Sequence, residues 1–78
     1  MTTFERTIVR YVSLTKEMTD RDAERRMSRG FETYGEAVAD AEEFDRIITA
    51  PELRERWLPQ RIVKATLHEI VTVEDVTA

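Results

Sequence analysis

The amino-acid sequence predicts an α+β domain in which a small, mainly antiparallel sheet packs against one central helix. Two stretches rich in β-branched and aromatic residues, 4–14 and 61–76, predict strands near the two ends of the chain. Between them, residues 33–48 repeat apolar side chains at helical spacing. A length of 78 residues suits one domain. We therefore predict a single domain over residues 1–78, with the element order β–β–α–(short α)–β.

The central helix has the clearest sequence pattern. Thr33 and Glu36 have capping-box spacing, so each side chain can satisfy a backbone N–H at the helix start. The apolar stripe that follows consists of Tyr34, Ala37, Val38, Ala41, Phe44 and Ile48. Asp45 lies close to the centre of this stripe, so we expect a basic partner at the boundary, with Arg61 and Lys64 as candidates.

The C-terminal half of the chain supplies a short helix and the second clear strand. Pro51 is favoured at a helix start, and residues 51–57 would form one short helix after it. Residues 61–76 alternate apolar and polar side chains, but Glu69 interrupts the series. We therefore expect a bulge or bend near His68 and Glu69.

Residues 15–31 allow two interpretations. Thr19 and Asp20 could cap a helix that runs to Ser28 and stops at Gly30. Alternatively, a polar hairpin loop leads to an edge strand over residues 24–31 that pairs with strand 4–14. A helix in this segment would offer only two apolar side chains to a core, and we therefore favour the edge strand.

Composition narrows the class of protein. The chain contains no cysteine, which excludes disulfides and thiolate chemistry and fits a reducing cytoplasm. No apolar run reaches the roughly 18–20 residues that span a bilayer, and the N-terminal residues lack the features of a signal peptide. We expect a soluble protein that does not contact membranes.

The chain contains few residues that could serve in catalysis or metal binding. His68 is the only histidine, and its neighbour Glu69 would point to the opposite face of a strand. The chain has no D-x-D-x-D-G calcium loop. We therefore expect no enzymatic activity, no metal site and no cofactor.

Negative charge is concentrated on the central helix. Residues 31–49 hold one arginine against six carboxylates, whereas the rest of a chain of net charge −4 sums to +1. The predicted outer face carries Glu32, Glu36, Asp40, Glu42 and Glu43. A solvated helix face is the simplest explanation. However, the like-charge pair Glu36–Asp40 costs about 0.2–0.5 kcal/mol, and this cost favours an interaction surface.

Two further features bear on binding. Trp57 stands between two prolines, where a tryptophan usually packs in a core but sometimes anchors a partner. The basic residues that could contact phosphates are Arg21, Arg25, Arg26 and Arg29. Acidic neighbours offset these charges and no aromatic residue is interleaved, so direct nucleic-acid binding is not expected.

The segment Phe31-Glu32-Thr33-Tyr34-Gly35-Glu36-Ala37 has the pattern F-x-T-x-x-E-A at a strand-to-helix junction. With its size and order of elements, the chain resembles small proteins encoded by phages and prophages, including anti-CRISPR inhibitors and other anti-defence proteins. This resemblance implies a non-enzymatic binder in the host bacterial cytoplasm. Such a binder occupies a basic nucleic-acid-binding surface of a bacterial complex, and carboxylates on a rigid helix can imitate the phosphates.

Two alternatives remain at this point. A helix over residues 19–29 would give the β–α–α order of ribbon-helix-helix DNA-binding regulators, provided that the protein dimerises through strand 4–14. A phage structural or assembly component is the other alternative. For the inhibitor, we expect a monomer or a weak homodimer.

Overall fold

The computed structural model describes residues 1–77, which form a long two-stranded ribbon with a small helical body at one end. The elements in chain order are strand β1 (Thr2–Thr15), helix α1 (Asp20–Arg26), a 3₁₀ turn (Met27–Arg29), helix α2 (Tyr34–Ile47), helix α3 (Pro51–Trp57) and strand β2 (Pro59–Val73). The α+β class is confirmed, and within residues 1–77 the sheet consists of these two antiparallel strands. The three helices all lie between the strands in sequence, so the chain leaves the ribbon and returns to it once.

The ribbon has a regular register over almost its whole length. Pairing runs without a break from Thr2 opposite Val73 to Leu14 opposite Arg61, and the one shift falls between Leu14 and Thr15. The shift therefore lies where β1 ends and the chain turns towards α1.

The bulge predicted near His68 and Glu69 is wrong. His68 pairs with Thr7 and Glu69 with Arg6 in the regular register. The Arg6 guanidinium donates two hydrogen bonds to the Glu69 carboxylate, one of them from Nε at 2.9 Å. An oppositely charged cross-strand partner stabilises a carboxylate on an otherwise apolar face, so the register continues through Glu69 without a shift.

One face of the ribbon carries the core. Val12 and Leu14 are 2% and 0% exposed, and they pack with Ala23 of α1. The half-buried side chains around them are Met18, Met27, Val63 and Ala65. Since directly opposed residues share a face, α1 covers the face on which Val12 lies opposite Val63. This core is small and lies at the base of the ribbon.

Helix α2 lies against the opposite face of the same base. The Tyr34 ring meets the Tyr11 ring edge-on, with 6.0 Å between the centroids, and Tyr34 and Ala41 line a shallow depression with Ile62. Ala37 of α2 is fully buried. The base of the ribbon is therefore held between α1 and α2.

The second strand predicted over residues 24–31 is wrong. Helix α1 and the 3₁₀ turn occupy this segment, because Thr19 caps α1 and its backbone N–H donates to the Asp22 carboxylate at 2.7 Å. Within residues 24–31, only Phe31 pairs with β1, through two backbone hydrogen bonds with Tyr11 of 2.8 and 2.9 Å. The predicted edge strand is thus reduced to a single bridging residue.

The ribbon extends well beyond the helices. The molecule measures 59 × 22 × 22 Å, and every residue from Thr2 to Thr7 is exposed. We call the outer part of the ribbon, residues 2–8 paired with 67–73, the arm. None of the helices formed by residues 1–77 has the length and apolar character that crossing a membrane requires.

Candidate protein-interaction surface

The predicted acidic face is largely present on α2, with one member displaced. The residues Glu32, Glu36, Glu42 and Glu43 are exposed. Asp40 is half-buried instead, because it turns towards a groove beside Phe44 and Ile48. The inner side of α2 is therefore rotated towards Asp40 compared with the predicted stripe, and Tyr34 at the helix start is 58% exposed.

The start of α2 is organised by Thr33 and Glu36. The Thr33 hydroxyl accepts the Glu36 backbone N–H at 3.2 Å and donates to the Glu36 carboxylate at 2.9 Å. Thr33 is thus confirmed as the helix cap, whereas the Glu36 carboxylate accepts the Thr33 hydroxyl instead of the Thr33 backbone N–H that the capping box predicts. The Glu36 carboxylate is held in place by this contact while it stays exposed to solvent.

Two carboxylates near the end of α2 have basic partners. Glu43 pairs with Arg46 one turn later, so its charge is offset within the helix. Asp45 pairs with Arg54 of α3, and the partners predicted for it, Arg61 and Lys64, are wrong. Arg61 forms an ion pair with Asp20, outside this cluster, at 2.8 Å.

Arg54 joins α3 to the end of α2. Its guanidinium donates to the Asp45 backbone carbonyl at 2.8 Å and to the Ile48 carbonyl at 2.6 Å. The last carbonyls of a helix have no partner within the helix, so Arg54 satisfies groups that α2 would otherwise expose. The spacing of nine residues across a proline turn follows no helical periodicity, and sequence reasoning therefore missed this partner.

The groove between α2 and the base of the ribbon has a volume of about 280 Å³. Its lining includes Phe44 and Trp57 on the apolar side and Arg26, Arg29 and Asp40 on the polar side. Arg26, Arg29 and Asp40 therefore bring charges of both signs to one groove.

Two buried polar atoms at this groove have no hydrogen-bond partner among the described residues, namely Ser13 Oγ and Arg26 Nε. Buried polar groups are usually paired, so these two atoms are exceptions within residues 1–77. Sequence reasoning placed Arg26 on a solvated strand. A helical assignment would have put it three residues after Ala23, on the side of α1 that faces the core.

Trp57 is the main aromatic feature of this end of the molecule. It is 53% exposed, Leu53 one turn earlier is 48% exposed, and the Arg56 guanidinium lies 5.7 Å from the Trp57 ring centroid. The ring therefore forms one wall of the groove and keeps about half of its surface available to a partner.

His68 lies on the arm, whereas the groove lies at the base of the ribbon. It is exposed, and its Nδ1 is 3.2 Å from the Thr7 hydroxyl on the neighbouring strand. Within residues 1–77, no group of three or more acidic or histidine side chains could hold a metal ion.

No known protein family, curated protein or solved structure matches this chain.

Proposed function

We propose that this chain is a non-enzymatic, protein-binding inhibitor of a bacterial defence complex, and that it docks through the outer side of α2. One observation supports this proposal most strongly. Among the described residues, six of the twelve lysines and arginines form ion pairs, and none of these pairs involves Glu32, Glu36 or Glu42. These three exposed carboxylates are called the open acidic side below.

The partner that suits the open acidic side is a basic, nucleic-acid-binding surface. Carboxylates on a helix have fixed positions, so they can accept hydrogen bonds from arginines that normally contact phosphates. Long-range attraction would steer association, and steric occlusion of the nucleic-acid site would inhibit the partner. The half-exposed Trp57 would add apolar contact area beside the charged contacts.

A charge-reversal experiment tests this proposal. The variant Glu32→Lys/Glu36→Lys/Glu42→Lys removes the open acidic side. The matched control Glu17→Lys/Glu24→Lys/Glu74→Lys makes the same change in net charge at exposed residues elsewhere. Both proteins and the wild type are used to capture partners from a bacterial lysate that contains RNA-guided effectors and RNA polymerase.

We expect the wild type and the control to retain the same nucleic-acid-binding partner and the α2 variant to lose it. Thermal unfolding of each protein verifies that the variants fold. If the α2 variant is folded and captures the partner as well as the wild type does, the open acidic side has no part in binding.

A second candidate function, DNA binding, is favoured by one observation. Residues 20–29 are helical, as a ribbon-helix-helix regulator requires, and Arg21, Arg25 and Arg29 are exposed. However, β1 pairs along its length with β2 of its own chain, whereas that class pairs this strand with a second copy. Fluorescence anisotropy with a labelled DNA duplex separates the two candidates, since only the regulator would show tight, salt-dependent binding.

A further inference from the structure

We propose that the apolar face of the arm is the interface with a second copy of this chain. This inference is independent of the proposed function, because the arm and the open acidic side share no residues. The side chains on this face are Phe4, Ile8, Leu67, Val71 and Val73. Phe4 is 47% and Val73 51% exposed in the single chain.

The exposed area of the single chain is too large for a protein of its size. A folded monomer of 9.1 kDa exposes about 4,900 Å², whereas this chain exposes 6401 Å². The difference is about 1,500 Å², and a stable interface takes about 800 Å² from each partner. The chain therefore has more than enough surplus area for a stable dimer.

The shape leads to the same conclusion. A compact chain of 78 residues has a radius of gyration of about 11.5 Å, and this chain has one of 17.2 Å. The arm, which is two strands wide, contributes to this elongated shape. An isolated two-stranded ribbon is at best marginally stable in water, so a covering partner would stabilise the arm.

The apolar face of the arm continues the core. It lies on the same side of the ribbon as Val12 and Leu14, which α1 covers at the base. Beyond the end of α1, the apolar stripe runs on towards the tip, where no helix formed by residues 1–77 covers Phe4 or Val73. The opposite face of the arm is polar except at Ile70, with Thr3, Glu5, Thr7, His68 and Thr72. One face of the arm is therefore suited to burial in an interface, and the other is suited to contact with solvent.

The charges on the apolar face fit a second copy of the same chain. Arg6 and Glu69 are opposed near the middle of this face and already pair within one chain. In a two-fold interface each residue meets the partner's equivalent surface. A two-fold axis that runs parallel to the strands near this pair would bring Arg6 close to Glu69 of the other copy, so neither charge would be buried without an opposite charge nearby.

The test is the mass of the protein in solution, measured by light scattering after size-exclusion chromatography. We expect the wild type to have twice the 9.1 kDa of one chain. Phe4→Lys places a charge on the apolar face and should return the mass to one chain, a twofold decrease. The matched control Ile70→Lys places the same charge on the polar face, where Ile70 is 73% exposed, and should leave the dimer intact.

Three results would overturn the proposal. The first is a wild-type mass of one chain at micromolar concentration. The second is a Phe4→Lys protein that remains dimeric, and the third is an Ile70→Lys protein that dissociates as Phe4→Lys does. The wild-type mass decides the matter even if Phe4→Lys fails to fold. The charge-swapped double variant Arg6→Glu/Glu69→Arg keeps the opposite charges together and should remain dimeric.

Discussion

Replacing Gly30 by alanine tests how closely the chain after α1 must approach the ribbon. Gly30 has φ −78° and ψ 170°, a backbone conformation that alanine adopts without strain. The obstacle is space, because an added Cβ would lie 2.9 Å from Arg10 Cβ and 3.2 Å from the carbonyl oxygens of Tyr11 and Met27. Two of these neighbours belong to β1, and none is the flexible end of a long side chain.

The expected magnitude follows from this crowding. Forcing an extra methyl group into a well-packed site costs about 1–3 kcal/mol. A chain of 78 residues has a total stability of roughly 4–12 kcal/mol, so Gly30→Ala should remove a large part of it. Each kcal/mol lowers the Tm of a domain of this size by about 4–8 °C.

The assay is urea and thermal unfolding followed by circular dichroism at one fixed protein concentration. Gly35→Ala is the matched control, because the added Cβ would have no atom from elsewhere in residues 1–77 within 4 Å and Gly35 is in the first turn of α2. That variant should be more stable than the wild type by up to about 1 kcal/mol. If Gly30→Ala is as stable as the wild type, the close approach of this segment to β1 does not exist.

Two further substitutions test contacts of the helices. Arg54→Ala removes the hydrogen bond to the Ile48 carbonyl at the end of α2; we expect a loss of about 1–2 kcal/mol in urea unfolding and a change in the fluorescence of Trp57 on α3. The Asp22→Asn variant tests pH dependence, because hydrogen bonds from the Thr19 backbone and then from Arg25 lower the pKa of Asp22 below its usual 3.8. A lowered folded-state pKa gives stability that is present above pH 3.8 and is lost as the pH falls through the folded value. The unfolding free energy of Asp22→Asn should therefore decrease less between pH 5 and pH 2 than that of the wild type, and an equal decrease would contradict the assignment.

The parts of the fold that the sequence predicted are those with a strong local pattern. The two strands and α2 combine side-chain periodicity with terminal signals, such as the Thr33 cap and Pro51 at the start of α3. Their positions follow from properties of neighbouring residues, and the structure places each of them within a few residues of the prediction.

The error at α1 arose from a weak apolar signal. A helix with only Ala23 and Met27 facing a core is poorly anchored, so the sequence pattern favours an edge strand. The structure compensates through the cap at Thr19 and through Met18, which packs against the same core from outside the helix. Such a contact depends on how the chain turns after β1, which local periodicity does not record.

The candidate surface was predicted in part for similar reasons. The exposure of Glu36 and Glu42 follows from the helical wheel of α2, and Glu32 lies just before the cap Thr33. Asp40 lines a groove with Arg26 and Arg29, which belong to α1 and the 3₁₀ turn, and a helix in this segment was the less favoured of the two interpretations. The partner of Asp45 lies on a different helix. Each of these differences between the prediction and the structure involves a contact between separate elements.

The length of the arm could not be predicted from the sequence either. The pattern of β1 and β2 predicts alternate burial along both strands, and it does not state where the covering helices end. The helices are too short to cover the ribbon beyond its base, so apolar side chains such as Phe4 are left exposed. The exposed apolar face is therefore a finding of the structure.

The salt dependence of association tests the central claim, binding through the open acidic side of α2, most directly. The rate constant for association with the captured partner is measured at ionic strengths of about 0.05 M and 0.5 M, between which the Debye length falls roughly threefold. We predict that the rate constant of the wild type decreases about tenfold or more with added salt. The Glu32→Lys/Glu36→Lys/Glu42→Lys variant should associate slowly at both ionic strengths. Equal rate constants for the two proteins at low salt would contradict the claim.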